Sequence, residues 1–274
     1  MFDVASLSPL VQPVVLAAAE IYYRHTQRWF IGLLIHGSAY KGGFIPGCSD
    51  IDLRLYLEDE AFDQYGELPI ELAAAIHRDL AAVDPAPFQY VQTYAFASHA
   101  SGAKPAHWIS VIPGTYHLLK GSMPHPEATE AQVVARCHHT LQSVPTWIAG
   151  ASRQLLDHGS DKLQRHARFR CTEVWPTLYS VLTLRNDAPF AIWKLPKEEA
   201  IALMPEDEPM GKAIRAFYHA VYSYFGETRD LDDALQVMLC GVRFLQTAEE
   251  WYNFSTLKRS RDSHQLTLPP LKEI

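Results

Sequence analysis

The residues best suited to chemistry are two carboxylates, Asp50 and Asp52, which follow a small-residue turn at Gly37-Ser38 after eleven residues. Side chains at i and i+2 of a strand point to the same face, so these two acids can share one cation. Mg²⁺ prefers such oxygen ligands and keeps its other positions for water and phosphate. Glycine lets backbone N–H groups approach an anion closely. The pattern predicts a site for a nucleoside triphosphate and its metal ions.

The elements that must position these residues are two short strands. Residues 31–35 and 51–57 are apolar runs bounded by turn residues, so the turn follows the first strand and the acids begin the second. The intervening residues 42–47 contain three glycines and a proline, which predicts a mobile loop.

The segments 35–38 (IHGS) and 49–53 (SDIDL) together resemble the core motif of the DNA polymerase β-like nucleotidyltransferase superfamily. In that family an apolar-Gly-Ser turn is followed, after a spacer of about this length, by Asp-apolar-Asp-apolar. The match covers only about twenty residues, but both halves stand in the expected order and between the expected strands.

The resemblance implies roles for individual residues. Gly37 and Ser38 would bind the β- and γ-phosphates, and Ser49 would belong to the same nucleotide-binding part of the motif. Asp50 and Asp52 would be catalytic metal ligands that hold two Mg²⁺ ions, with ATP or another nucleoside triphosphate as substrate.

The third carboxylate of the family is missing from its expected strand, residues 88–96, which contains no Asp or Glu. Gln89 or Gln92 could fill the position, but an amide is a weaker metal ligand and cannot act as a general base. Asp84, just before the strand, is a further candidate. Alternatively, the base comes from the helical part of the chain, or the protein binds a nucleotide and transfers nothing.

The candidate base in the helical part is Glu173, an acid among apolar and aromatic neighbours, where partial burial would raise its pKa usefully. The competing interpretation is a surface glutamate paired with Arg170 one helical turn earlier. Lys194 is similar to the lysine that antibiotic adenylyltransferases offer to the triphosphate from their helical domain. It may equally extend its charge into solvent from an apolar surface.

Composition limits the class of protein. The chain of 274 residues is 48% hydrophobic and 20% charged, which excludes a disordered or fibrous protein. A net charge of −7 gives no electrostatic reason to expect nucleic-acid binding. No apolar run reaches the roughly 20 residues that span a membrane, and the N-terminus does not resemble a signal peptide, so we expect a cytoplasmic protein. The four cysteines are scattered, which favours reduced thiols.

Hydrophobic periodicity predicts a small α/β (α+β) domain with a small mixed sheet at 1–125, an α-helical bundle domain at 126–259, and a weakly ordered tail at 260–274. The resemblance implies that the first of these is a nucleotidyltransferase domain. The predicted helices are 10–28, 68–83, 161–184, 212–225 and one that contains 231–245. Residues 107–112 are predicted as a further strand, and 113–117 as a turn entering a short helix.

These observations predict a Mg²⁺-dependent nucleotidyltransferase that moves AMP from ATP to a hydroxyl of a small molecule and releases pyrophosphate. By resemblance, its relatives are aminoglycoside adenylyltransferase-like proteins with a helical second domain. Two alternatives remain: a non-catalytic nucleotide-binding or toxin-antitoxin regulatory protein, and an enzyme that modifies a protein or an RNA. The oligomeric state and the acceptor do not follow from the sequence.

Overall fold

The computed structural model describes residues 1–99, 108–159 and 161–265, with side chains described as far as Ser255. The last helix ends at Gln265, so the remaining part of the predicted tail, 266–274, lies outside the described residues.

A small mixed sheet forms the centre of the first part of the chain. Its four strands lie in the order β3-β2-β1-β4. Strand β1 is antiparallel to β2 and β4, whereas β2 is parallel to β3. The small mixed sheet predicted from the sequence is therefore confirmed. The strands are β1 Phe30–His36, β2 Ile51–Leu57, β3 Val91–Ala97 and β4 Tyr116–Gly121.

Three helices accompany this sheet and six follow it within the described residues. The first three are α1 Gln12–Thr26, α2 Ser38–Lys41 and α3 Ile70–Leu80. The others are α4 Glu130–Leu156, α5 Lys162–Arg185, α6 Pro189–Lys194, α7 Lys197–Ala202, α8 Pro209–Ser223 and α9 Leu231–Gln265. No helix in the described part is long and apolar enough to cross a membrane.

Alternation along β2 gives the sheet one apolar face and a second face that carries charged side chains beside a small apolar cluster of Leu34, Tyr56 and Val111. Ile51, Leu53, Leu55 and Leu57 are buried against α1 and α3, in one core with residues of β1. Since successive side chains of a strand point to opposite faces, Asp52 and Arg54 project from the other face. The same alternation that builds the core therefore places the acids on the face opposite α1 and α3.

A second core lies within the helical part, where α5 is the central helix. Its buried side chains include Val174, Leu178 and Val181, which pack with residues of α4, α8 and α9. Helix α4 begins with a capping box, in which the Thr129 hydroxyl accepts from the Gln132 N–H and the Gln132 side chain accepts from the Thr129 N–H. The predicted helical bundle is therefore present.

Two predictions about residues 107–117 differ from the structure. Residues 108–112 form no strand, and His107 lies outside the described residues. The turn at 113–115 enters β4 rather than a short helix, because Tyr116 and His117 pair with His36 and Ile35 at the open edge of β1. Pairing with a distant strand overrides the local turn signal.

The Gly-rich segment predicted as a mobile loop is instead packed between the two parts of the chain. Ile45 and Cys48 are 1% and 2% exposed and belong to the core of the helical part. The Lys197 ammonium donates to the Gly43 carbonyl at 2.9 Å, and Arg229 donates to the Gly47 carbonyl at 3.0 Å. The segment that leads to Asp50 is therefore anchored by the helices.

Candidate functional site

Asp52 lies beside the Gly37 turn, and the charge of Asp50 acts on it. In the register of the sheet, Asp52 pairs with His36, the last residue of β1. A Cβ atom on Gly37 would lie 2.2 Å from Asp52 Oδ2, so the turn leaves room for this carboxylate only because it contains glycine. Gly37 also has φ +72°, in the region that glycine adopts without strain. The turn and the acids thus form one site.

At Asp52, burial and the neighbouring negative charge of Asp50 outweigh the nearby positive charges. Burial, and next the charge of Asp50, raise the pKa of Asp52 to about 7, while Arg168 and Lys197 oppose the shift. A buried carboxylate next to a second one is stabilised by a nearby cation. The two side chains therefore suit a divalent metal ion.

Asp50 has a counter-ion from the helical part. Arg168 on α5 places Nη2 2.6 Å from Asp50 Oδ2, and both side chains are largely buried. Although burial opposes it, Asp50 raises the pKa of Arg168, so the guanidinium stays charged. The same nitrogen lies 3.4 Å from the Tyr90 hydroxyl. Arg168 thus fixes the position of Asp50 relative to α5.

Two serines were predicted to bind the nucleotide, and they differ in what they contact. Ser38 is the first residue of α2, where the first N–H groups of a helix have no acceptor within it. Ser49 is buried, and its hydroxyl accepts a hydrogen bond from the Ile45 N–H at 2.9 Å. Ser38 therefore begins a four-residue helix after the Gly37 turn, whereas Ser49 closes the loop before Asp50.

Two buried lysines that the sequence analysis did not select lie in this part of the structure, and the charge of one of them acts on the acids. Lys197, at the start of α7, is 7% exposed, and its charge acts on both Asp50 and Asp52. Lys41, on α2, donates to the Trp193 carbonyl at 3.0 Å and lies 3.9 Å from the centre of the Tyr179 ring. Burial, and next the charge of Lys197, lower the pKa of Lys41 to about 7.

The lysine selected from the sequence, Lys194, lies elsewhere. Its side chain is exposed and packs over the turn at Gly114, where an added Cβ would lie 2.5 Å from Lys194 Cε. The charge of Lys197, three positions later, acts on Asp50.

The position expected for a third carboxylate contains an amide. Gln92 pairs with Asp52 across the parallel strands β2 and β3, and its side chain donates to the Tyr94 hydroxyl. Gln89 donates its backbone N–H to the Ser49 carbonyl at 2.9 Å. Asp84 accepts from the Ala86 N–H within an exposed turn. Of these three candidates, Gln92 is the one in register with Asp52 in the sheet.

Glu173, the predicted base, forms an ion pair with Arg170 on its own helix. Arg170 is completely buried, donates also to Gln154 at 2.9 Å, and packs against Gly241. Burial raises the pKa of Glu173, and Arg170 opposes the shift. This arrangement is the one described by the competing interpretation of a pair at i and i−3.

A cavity of about 490 Å³ opens next to the acids, between the polar face of the sheet and helices α4, α5 and α6. It is lined by residues of both parts of the chain, including Gly37, Lys41 and Trp193. Its volume lies in the range of sites for small molecules.

A metal fits this site only with help from the substrate. No group of three or more His, Cys, Asp or Glu side chains arranged for a metal occurs among the described residues. Two carboxylates match the habit of Mg²⁺ in nucleotide sites, where phosphate and water complete the coordination. Asp50 and Asp52 fit this partial donor set.

Arg168, Lys41 and Lys197 are the neighbours that the sequence analysis missed. Nothing in the local pattern separates Lys197 from Lys194, because both lie in the same short segment between prolines and acids. Arg168 stands among other basic residues of α5. Only the packing of α5 and α7 over the sheet distinguishes these side chains.

Comparison with known proteins gives a structural match. No family model matches the sequence, and no curated protein matches it. Among solved structures, the chain is similar to spectinomycin adenyltransferase AAD(9) from Enterococcus faecialis, in a crystal structure with ATP and spectinomycin. The match covers 87% of this chain and 99% of that chain, with 12% identity and a TM-score of 0.53. The fold predicted from the Gly-Ser and Asp-x-Asp motifs, that of an aminoglycoside adenylyltransferase with a helical second domain, is therefore confirmed.

Proposed function

We propose that this protein is a nucleotidyltransferase that moves AMP from ATP to a hydroxyl of a small molecule, with release of pyrophosphate. The observation that supports it best is the placement of Asp50 and Asp52 beside the Gly37-Ser38 turn, in a fold shared with an ATP-using adenyltransferase. The cavity next to the acids has the size of a small-molecule site.

Different residues of the site would bind the phosphates of ATP and its metal ion. The backbone at Gly37 and the Ser38 hydroxyl would hold the terminal phosphates, and the ammonium groups of Lys41 and Lys197 would offset their charge. Mg²⁺ held by Asp50 and Asp52 would neutralise the triphosphate and polarise the α-phosphorus. The acceptor oxygen would then form its bond to that phosphorus while the bond to pyrophosphate breaks, and the proton of the acceptor hydroxyl would pass to a carboxylate of the site or to water.

Nucleotide binding is tested by thermal shift with ATP, GTP, CTP and UTP, each with and without Mg²⁺. A ligand that binds the native state raises the unfolding temperature, by about 2.7 kcal/mol of stability at a hundred times its Kd. We expect ATP with Mg²⁺ to give the largest shift. Asp52→Asn should remove the Mg²⁺-dependent part, whereas Asp84→Asn, which changes an exposed acid, should keep it. Equal shifts in both variants would contradict the proposal.

A non-catalytic nucleotide-binding protein is the second candidate, and Gln92 opposite Asp52 is the observation that favours it. The two functions are separated by pyrophosphate release. Turnover of ATP to pyrophosphate in the presence of an acceptor supports the transferase, whereas tight ATP binding without any pyrophosphate across hydroxyl acceptors supports the second candidate.

A further inference from the structure

The fold brings together two cysteines that are far apart in the sequence. Cys48 lies in the segment before β2 and Cys171 lies on α5, 123 positions later, yet their sulfur atoms are 3.6 Å apart. Both are free thiols. Because an S–S bond is about 2.0 Å long, the two sulfur atoms need to approach each other by only about 1.6 Å to form one.

The two thiols lie where the two parts of the chain meet at the acids. Cys48 is two positions before Asp50, and Arg168, which pairs with Asp50 at 2.6 Å, is one helical turn before Cys171 on α5. The thiol pair and the ion pair therefore connect the same two elements. A covalent bond between the sulfur atoms would attach the segment that leads to Asp50 to α5.

Both thiols are 2% exposed, so an oxidant reaches them only after a local opening of the structure. The segment that carries Cys48 lies between α2 and β2, outside any helix or strand, and its neighbouring residues Pro46 and Gly47 are exposed and half-buried. Segments of this kind open at a lower cost in free energy than the core helices and strands do. A small movement of 46–48 therefore exposes one thiol next to the other.

We propose that Cys48 and Cys171 are a modification site, which forms a reversible disulfide when the protein meets a peroxide. Hydrogen peroxide oxidises one thiol to a sulfenic acid and releases one water. The other thiol attacks that sulfur, forms the S–S bond and releases a second water. In total the two thiols lose two electrons and two protons, and the peroxide is reduced to two waters. A dithiol or phosphine reductant restores the thiols.

The bond should stabilise the folded chain. It would close a loop of more than 100 residues in the unfolded state and so lower the conformational entropy of that state. Since the bond also joins the segment before β2 to α5, it opposes separation of the sheet from the helices. We expect the unfolding temperature of the oxidised protein to rise by about 10 °C.

The test treats the folded full-length chain with hydrogen peroxide, removes the peroxide with catalase, and then unfolds the protein in urea with iodoacetamide to label the remaining thiols. Peptide mass spectrometry should find one linked pair of peptides, joined through Cys48 and Cys171 and lighter by two hydrogen atoms. The unfolding temperature of an unlabelled sample should rise, and a phosphine reductant should reverse both changes.

Variants assign the rise in unfolding temperature to this bond. Cys48→Ser and Cys171→Ser should each remove it, and Cys48→Ala and Cys171→Ala serve in their place if a serine variant does not fold. Cys240→Ser changes a half-buried thiol of α9 outside the pair, so it is the matched control and should respond to peroxide like the parent protein. The peptide map of the parent protein needs no variant.

Three results would overturn the inference. The first is complete labelling of Cys48 and Cys171 after a peroxide treatment that leaves the protein folded. The second is a link from either of them to another cysteine in place of the bond between them. The third is a Cys48–Cys171 link that forms only when peroxide is added to the chain already unfolded in urea. None of these measurements uses a nucleotide, so the inference and the proposed function fail separately.

Discussion

At the scale of single residues, Asp52 controls how the stability of the ligand-free protein depends on pH. Its pKa is raised from 3.8 to about 7 in the folded state, by burial first and by Asp50 second. Below pH 4 the side chain is neutral in both states and costs nothing. As the pH rises from 4 to 7, the unfolded chain loses this proton and the folded chain keeps it, so folding becomes less favourable. At pH values above 7, the ionised Asp52 carboxylate therefore lowers the free energy of unfolding of the ligand-free protein.

Asp52→Asn should therefore stabilise the ligand-free protein at pH 8 by a few kcal/mol, since each unit of pKa shift corresponds to about 1.4 kcal/mol. The gain should vanish near pH 4. Urea unfolding of the variant and the parent at both pH values measures the difference, with Asp84→Asn as the exposed control. A variant that is less stable than the parent at pH 8 would show that nearby cations already offset the cost of burying the ionised Asp52 carboxylate.

Glu173 has two competing roles that one variant separates. Glu173→Gln leaves the buried Arg170 without its carboxylate, so we expect a loss of about 3–5 kcal/mol of stability, the usual cost of breaking a buried pair. Turnover per folded molecule should stay within threefold. Unfolding by urea and pyrophosphate release measure the two effects.

The opposite pattern would identify Glu173 as the general base. In that case stability would be nearly unchanged, ATP would still bind, and turnover would fall by about a hundredfold or more, which is the usual contribution of general-base assistance.

At the scale of elements, the site depends on a turn between β1 and α2. The turn carries Gly37 against the Asp52 carboxylate, so its backbone and the strand β2 form one wall. The polar face of β2 is possible because its apolar side chains face α1 and α3. Because Gly37 has no side chain, the turn after β1 can lie against the Asp52 carboxylate of β2.

Gly37→Val should disrupt this contact. The added side chain would collide with Asp52 Oδ2, and a β-branched residue at φ +72° is strained. We expect loss of the Mg²⁺-dependent thermal shift with ATP, together with lower stability. The matched control is Gly66→Val, at φ +78° with nothing within 4 Å of its added Cβ, which carries the backbone strain but no collision. If both variants keep the ATP shift, the turn does not contact the nucleotide.

At the scale of the whole molecule, the two parts of the chain share the segment before Asp50. Ile45 is 1% exposed and packs in the helical core, although it lies between β1 and β2. Cys48 lies 3.6 Å from Cys171 of α5, measured between the sulfur atoms. The sheet and the helices are therefore expected to unfold together.

Ile45→Ala tests this coupling. Removing a buried isoleucine should cost about 2–5 kcal/mol. The loss should appear in one cooperative urea transition, seen alike by circular dichroism and by tryptophan fluorescence, which reports on both parts because Trp29 precedes β1 and Trp175 lies in α5. Ile70→Ala, at a position 74% exposed, should change stability by less than about 0.5 kcal/mol. Two separate transitions, or an effect no larger than in the control, would show that the parts are independent.

The sequence alone determined β1, β2 and the turn after β1, because these follow from local patterns. Period-two alternation in β2 and the glycine of the turn need only neighbouring residues, so Gly37, Ser38, Asp50 and Asp52 were found without the fold. Local patterns also indicated the helices of the second part. The local predictions were wrong for 113–117 and for the loop at 42–47. Pairing with β1 determines the structure of the first segment, and packing against the helices determines that of the second.

Only the tertiary structure decided which charged groups surround the acids. Arg168 reaches Asp50 across 118 positions of sequence, and Lys197 rather than Lys194 approaches the site because α7 turns that side chain inward. The pairing of Gln92 with Asp52 depends on the register of two parallel strands. Contacts of this kind form when helices pack over a sheet. Packing depends on burial and shape over the whole chain, so the spacing of residues in the sequence does not predict it.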